Sequence, residues 1–228
     1  MQNHIKKMKD TQNAQQSYKK LKYSYNPEVT FELTKKAGGE QSYGWLLAET
    51  NWEENSLNEM VKTVSYLPSK LKDGHKVKES VEEVYFLTLD FDKNDPTIDQ
   101  FKEKWKATQF SWFLHTTVNH EKTISNEGKK IAAIDKFRVI VPLSRTISLK
   151  ELDAMEEFWK AKYPKIDPTS FDGNRYFKMS PDAITHLQNH YDLEGNVVFL
   201  NPDDEELKIK KRKPGRQKKE EITIADQM

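Results

Sequence analysis

The chain has no cysteine, which excludes disulfides and any zinc site built on thiolates. It also has no apolar run approaching the roughly 20 residues that a bilayer-spanning helix needs. The opening stretch, MQNHIKKMKD, holds no hydrophobic segment and does not read as a secretory signal. A soluble, cytoplasmic protein with no membrane partner is expected. A net excess of charge is missing too: 37 basic and 36 acidic residues leave +1, so average composition names no partner. No G-x-x-x-x-G-K-[ST] occurs, so a P-loop motor is not expected on this polypeptide.

What is present is aromatic. Hydrophobic residues make up 36% of the chain and aromatic residues 11%, and each ring buries a large apolar area. Most rings fall between residues 40 and 200, where the core is expected. Three regions follow: a Lys/Gln/Asn-rich arm at 1–25, mobile or helical; one folded domain at 26–203; and a basic tail at 204–228.

Within the domain, Leu57, Met60, Val61 and Val64 recur at helical spacing ahead of Pro68. Residues 71–80 read as a solvated loop. Residues 84–92 (VYFLTLDFD), 111–117 (SWFLHTT) and 137–143 (FRVIVPL) read as strands. Asp95-Pro96 opens a helix whose inner face is Ile98, Phe101 and Trp105. Ser148 and Glu151 form a capping box ahead of Leu152, Met155 and Trp159. Residues 121–135 read as a hairpin-like excursion, and 186–191 with 197–200 as a hairpin around Glu194-Gly195-Asn196. Strands alternating with helices and hairpins predict an α+β or mixed α/β domain.

The sharpest local feature is Asp90-Phe91-Asp92 at the end of an apolar strand. Alternation puts both carboxylates on one side. There they repel each other unless a cation lies between them, and Mg²⁺ or Mn²⁺ suits such an oxygen-rich pair. The same residues also suit a strand leaving the core for a polar turn. A third acid would shift the balance, and Asp167 is the candidate, with Asp172 a rival. Asp before Pro more often makes an N-cap or Asx turn. His120, beside Thr117 at a strand end, can donate to a phosphate oxygen; His115, inside the strand, is expected to pack against the sheet. Lys136 and Arg138 share a face of the third strand, and Arg offers a planar fork to phosphate. An ion pair with Asp90 or Asp92 would explain Arg138 equally well. Arg175 poses the same question near Asp167.

In this order the motifs resemble the archaeo-eukaryotic primase superfamily, in particular primase-polymerase domains of plasmid, phage and mobile-element replication proteins. The resemblance runs from about Val84 to Pro181. It implies an RRM-like mixed sheet flanked by helices, with an N-terminal α/β unit. It further implies that Asp90, Asp92 and Asp167 hold two Mg²⁺ or Mn²⁺ ions and carry catalysis. His120, Arg138, Lys136, Arg175 and Thr117 would then bind the nucleotide. Implied partners are a single-stranded DNA template, NTP or dNTP, and a replicative helicase domain or protein. Lys210, Lys211, Arg212, Lys213 and Arg216 of the basic tail would add salt-sensitive affinity for DNA phosphates; a solvated linker is the plainer reading of the same run.

Two other functions fit parts of the pattern. A metal-dependent nicking initiator needs two histidines one residue apart, and the spacing of His115 and His120 fails that test. A non-catalytic DNA-binding initiator or interaction module on the same fold remains compatible with every residue named.

Overall fold

The computed structural model describes residues 19–34, 42–93, 95–121, 125–126, 129–130, 134–204 and 207. The chain is α+β. In order it runs β1 (Lys20–Tyr25), α1 (Phe31–Thr34), β2 (Leu46–Asn51), α2 (Glu54–Thr63), β3 (Tyr66–Leu67) and β4 (Ser69–Leu71). There follow β5 (Val81–Phe91), α3 (Ile98–Trp105), β6 (Trp112–Thr116), β7 (Ser125–Asn126), β8 (Lys129–Lys130), β9 (Phe137–Ile147), α4 (Leu149–Lys162) and β10 (Thr185–Gln188). No described helix is long and apolar enough to cross a membrane.

The main sheet has the order β10-β6-β9-β5-β4, and a smaller sheet has the order β2-β1-β3. Every ladder in both is antiparallel, and a parallel contact enters through the bridge between Leu143 and Leu200. The central pair, β5 and β9, consists almost wholly of buried residues, as continuous apolar runs require when both faces are covered.

One face of the main sheet carries Leu87, Leu89, Phe91, Trp112, Leu114, Val139 and Val141 against α3 and α4. Helix α3 starts at Thr97, whose side chain accepts from the Gln100 amide while Gln100 reaches back. Pro96 therefore lies before the cap. The expected Ser148–Glu151 box starts α4; such caps contribute about 1 kcal/mol each. The opposite face carries Phe86, Phe113 and Ile140 against Leu57, Met60 and Val61 of α2, with Tyr66 and Phe177. Asp90 and Arg138 belong to this second face by alternation, as does His115.

Three expectations need correction. Lys20–Tyr25, assigned to the arm, is a strand: Leu21 and Ser24 are buried and it pairs with both β2 and β3. Residues 185–188 pair with β6 instead of folding back on 197–200; the expected hairpin is confined to its tip, where Tyr191 bridges Val197 and the Val198 amide donates to the His190 carbonyl at 2.8 Å. Residues 69–80 hold β4 and two 3₁₀ turns. In the 121–135 excursion, β7 and β8 pair antiparallel as expected. Residues 1–18 and the tail lie outside the described residues, except Asp204 and Leu207.

Candidate active site

Asp90 is the next-to-last residue of β5 and sits directly opposite Arg138 on β9; Arg138 in turn sits opposite His115 on β6. A carboxylate, a guanidinium and an imidazole thus form one row across the sheet. Arg138 Nε lies 3.3 Å from Asp90 Oδ2, and Arg138 Nη1 donates to the Lys178 carbonyl at 3.0 Å. The ion pair foreseen for Arg138 is real, and both partners are buried.

His115 is fully enclosed. Its Nδ1 is 3.2 Å from the Thr116 carbonyl and its Nε2 is 2.9 Å from the Tyr66 hydroxyl. The carbonyl can only accept, so Nδ1 carries the proton and Tyr66 donates to Nε2. Burial, helped by the Arg138 charge, pushes its pKa from 6.5 down to about 3. His115 is packed and neutral, as expected.

Asp167 reaches Asp90 through the backbone. Its amide donates to the Asp90 carbonyl at 3.0 Å, and the Ser170 hydroxyl accepts from the Asp90 amide at 3.0 Å. The 3₁₀ turn Pro168–Phe171 is thereby fastened to the end of β5. Of the two uses considered for Asp167 the cap is present, and its second oxygen is in an ion pair. Oδ1 caps the turn, accepting from the Thr169 amide and hydroxyl at 2.9 and 2.8 Å. Oδ2 faces Arg175 Nη2 at 3.2 Å, and the same nitrogen lies 3.4 Å from Asp90 Oδ2. Burial alone would raise the Asp167 pKa, but the Thr169 contacts, then Arg175 and Lys93, outweigh it and hold the group below its usual value.

Asp92 lies one position beyond β5 rather than inside it. Its Oδ1 is buried and has no hydrogen-bond partner among the described residues. An enclosed carboxylate oxygen left without a donor is costly, and a divalent cation is the ordinary remedy. On that side of the sheet a hard metal ion would meet Asp92 Oδ1, whereas Asp90 Oδ2 and both Asp167 oxygens are already engaged by Arg138, Arg175 and Thr169. The three aspartates do not themselves crowd into a tight ligand cluster. Among the described residues that closeness belongs to His120, Glu121 and Asp135, whose ligand atoms lie within 4.8 Å of one another.

That trio is less suited to a cation than its spacing suggests. The Lys136 amide donates to His120 Nδ1 at 3.3 Å, so the proton of the neutral ring sits on Nε2 and neither nitrogen offers a free lone pair. Asp135 Oδ2 is taken by the Ile98 amide at 2.8 Å. His120 is instead poised as an N–H donor. With Thr117 it lines a pocket of about 90 Å³, and so does Ser180. The Ser180 hydroxyl is buried without a partner. Among the described residues no contact joins His120 to the three aspartates; the segment from Arg175 to Ser180 runs between the two places.

Compared with known proteins, the chain matches no family model and no curated protein. One solved structure is similar in outline. It is the AEP domain of the cyanophage S-2L primase-polymerase, with 10% identity and a TM-score of 0.39, covering 80% of this chain and 84% of that one. No residue role is taken from a likeness of that depth.

A second pocket, of about 370 Å³, adjoins the Asp90 row. Lys76, Arg138, Arg175 and Lys178 line it, together with Asp172, Asn174 and Tyr176. Four cations and one carboxylate line it, and two of the cations, Arg138 and Arg175, also pair with Asp90 and Asp167. Asp172, the rival third acid, belongs to this wall, and its carbonyl accepts from the Arg175 amide at 2.8 Å. Lys76, Lys178 and Ser180 escaped sequence reasoning, since loop lysines and a loop serine carry no periodic mark. Lys136 precedes β9, and its carbonyl accepts from the Thr117 amide at 2.9 Å. Lys210, Lys211, Arg212, Lys213 and Arg216 lie outside the described residues.

Proposed function

We propose that this chain is a metal-dependent nucleotidyltransferase of the primase-polymerase kind, copying a single-stranded DNA template. The observation that carries the proposal is Oδ1 of Asp92, buried without a hydrogen-bond partner among the described residues and two residues from Asp90, whose carbonyl accepts from the Asp167 amide. Two Mg²⁺ or Mn²⁺ ions on Asp90, Asp92 and Asp167 would supply activation of a 3′-hydroxyl and neutralisation of leaving pyrophosphate. The protein's own part is positioning and charge. Arg175, Lys76 and Lys178 line a pocket able to hold a polyphosphate, and Arg138 fixes the wall between that pocket and Asp90. His120 Nε2–H, Thr117 and Ser180 offer donors at the far end of the same segment.

A second reading has an observation of its own. Arg138 and Arg175 already neutralise Asp90, which suits a non-catalytic nucleic-acid-binding module whose acids are structural. The deciding experiment incubates the full chain with single-stranded template, labelled NTPs or dNTPs and Mn²⁺, beside an Asp90→Ala/Asp92→Ala variant. Template-dependent products that vanish in the variant are expected. Binding of template with no product from either protein would establish the module instead.

A further inference from the structure

Above the cationic pocket lies a pair of rings that the proposed chemistry does not use. Tyr43 and His75 stack with centroids 4.1 Å apart and planes 8° from parallel. Tyr43 is nonetheless 65% exposed, with His75 stacked on one face of its ring.

The loops beneath the pair are pinned to each other. The Lys76 amide donates to the Ser42 carbonyl at 2.6 Å and the Trp45 amide to the Gly74 carbonyl at 3.2 Å. Asn26 Nδ2 donates to the Tyr43 carbonyl at 2.7 Å. Gly74 has φ +62°, and a Cβ there would meet the Trp45 carbonyl oxygen at 2.6 Å, so the approach of the two loops requires glycine. A large apolar surface is thus held out into water on a fixed base. Packing among the described residues does not account for that.

The platform continues into the cationic pocket. Lys76 follows His75 directly and places Nζ 4.7 Å over the Tyr176 ring, and Tyr176 packs against Trp45 at 5.7 Å. Lys76 and Tyr176 both line the pocket that Arg138, Arg175 and Lys178 complete. An exposed flat ring beside a row of cations meets the two demands of a single-stranded nucleic acid: a face for the base and charge for the backbone.

We propose that Tyr43, backed by His75, is a base-stacking platform for single-stranded nucleic acid, with Lys76 holding the adjoining phosphate. The proposal takes from the reading above only the class of ligand. It does not require that the aspartates carry out chemistry.

Fluorescence anisotropy of the full chain with labelled oligo(dT), the same length of abasic backbone, and oligo(rU) tests it. Tyr43→Ala should weaken oligo(dT) binding about tenfold, the lower half of the usual range for one stacked base. Tyr43→Trp should restore the affinity, and the abasic strand should bind wild type and Tyr43→Ala alike. A ribose strand showing the same dependence supports the platform and assigns it to either sugar. Equal oligo(dT) affinity in wild type and Tyr43→Ala overturns it, as does a wild-type chain that binds no oligomer. Mn²⁺ binding, measured without nucleic acid, separates the two ideas. A platform that responds to Tyr43 in a chain that takes no metal leaves this inference standing while the polymerase reading falls.

Discussion

The amide of Asp167 donates to the carbonyl of Asp90 at 3.0 Å, so two acids far apart in sequence are held together by backbone before any ion is considered. The bond is reinforced by the Ser170 hydroxyl, which accepts from the Asp90 amide. Ser170→Ala leaves that buried N–H unpaired, a loss of about 1–3 kcal/mol. Thermal unfolding should register it, and Mn²⁺ affinity measured by electron paramagnetic resonance should fall several-fold. Unchanged metal binding in a destabilised variant would detach the turn from the cation site.

Arg175 stands where a cation would act, with one nitrogen reaching both Asp90 and Asp167. It also lines the cationic pocket. Arg175→Ala should therefore raise Mn²⁺ affinity in the absence of nucleotide, because a competing positive charge is gone. The same variant should bind nucleoside triphosphate about tenfold more weakly, the loss of one charge-assisted contact. Titration calorimetry with each ligand alone reads both effects. A drop in metal affinity would show that Arg175 supports the acids instead of competing for them.

Lys76 and Lys178 are predicted to act on phosphate alone. Alanine at either position should weaken triphosphate binding several-fold with Mn²⁺ affinity unchanged. Lys178→Ala keeps the carbonyl that accepts from Arg138, so the sheet row survives the change. Losses of equal size for nucleoside and nucleoside triphosphate would contradict a phosphate role.

His115 sets a pH dependence for the fold. Its pKa is about 3 in the folded chain against an ordinary 6.5. Between those values the unfolded chain takes up a proton that the folded chain refuses, so stability is complete above pH 6.5 and falls as the solution is acidified. At pH 5 the loss is about 2 kcal/mol relative to neutral pH. Urea denaturation at several pH values measures the slope. His115→Gln, which keeps an acceptor for Tyr66, should flatten it; an unchanged slope would place the acid sensitivity on other groups.

How much of this could be read from the sequence varied with how much of each element is buried. Strands β5 and β9 announced themselves because both faces are covered, which demands uninterrupted apolar residues. Helix α4 did so through Ser148 and Glu151. Strand β1 did not, because KLKYSY buries only Leu21 and Ser24 and reads as a polar segment. The partner of β10 was misjudged because THLQ is half-buried throughout and carries little pattern to fix its register. At the site, Asp90 and Arg138 were legible as charges on apolar strands, and Asp167 as an acid ahead of a proline turn. Their mutual neutralisation was foreseen only as an alternative, for Arg138 with Asp90 or Asp92 and for Arg175 with Asp167, since pairing is a matter of side-chain direction and not of spacing. Lys76 and Lys178 were invisible for a simpler reason: two lysines among 37 basic residues stand out only once the chain brings them to one wall.

Tyr66 and Phe177 exchange backbone hydrogen bonds at 3.0 and 2.8 Å, tying the small N-terminal sheet to the stretch that carries Arg175. A shortened version starting at Val81 would retain all three aspartates, His120 and Arg138. It would nonetheless lose the brace beneath Arg175, together with Lys76. The described residues before Val81 thus brace the wall that carries Arg175, and the two parts should be expressed, and should unfold, as a unit.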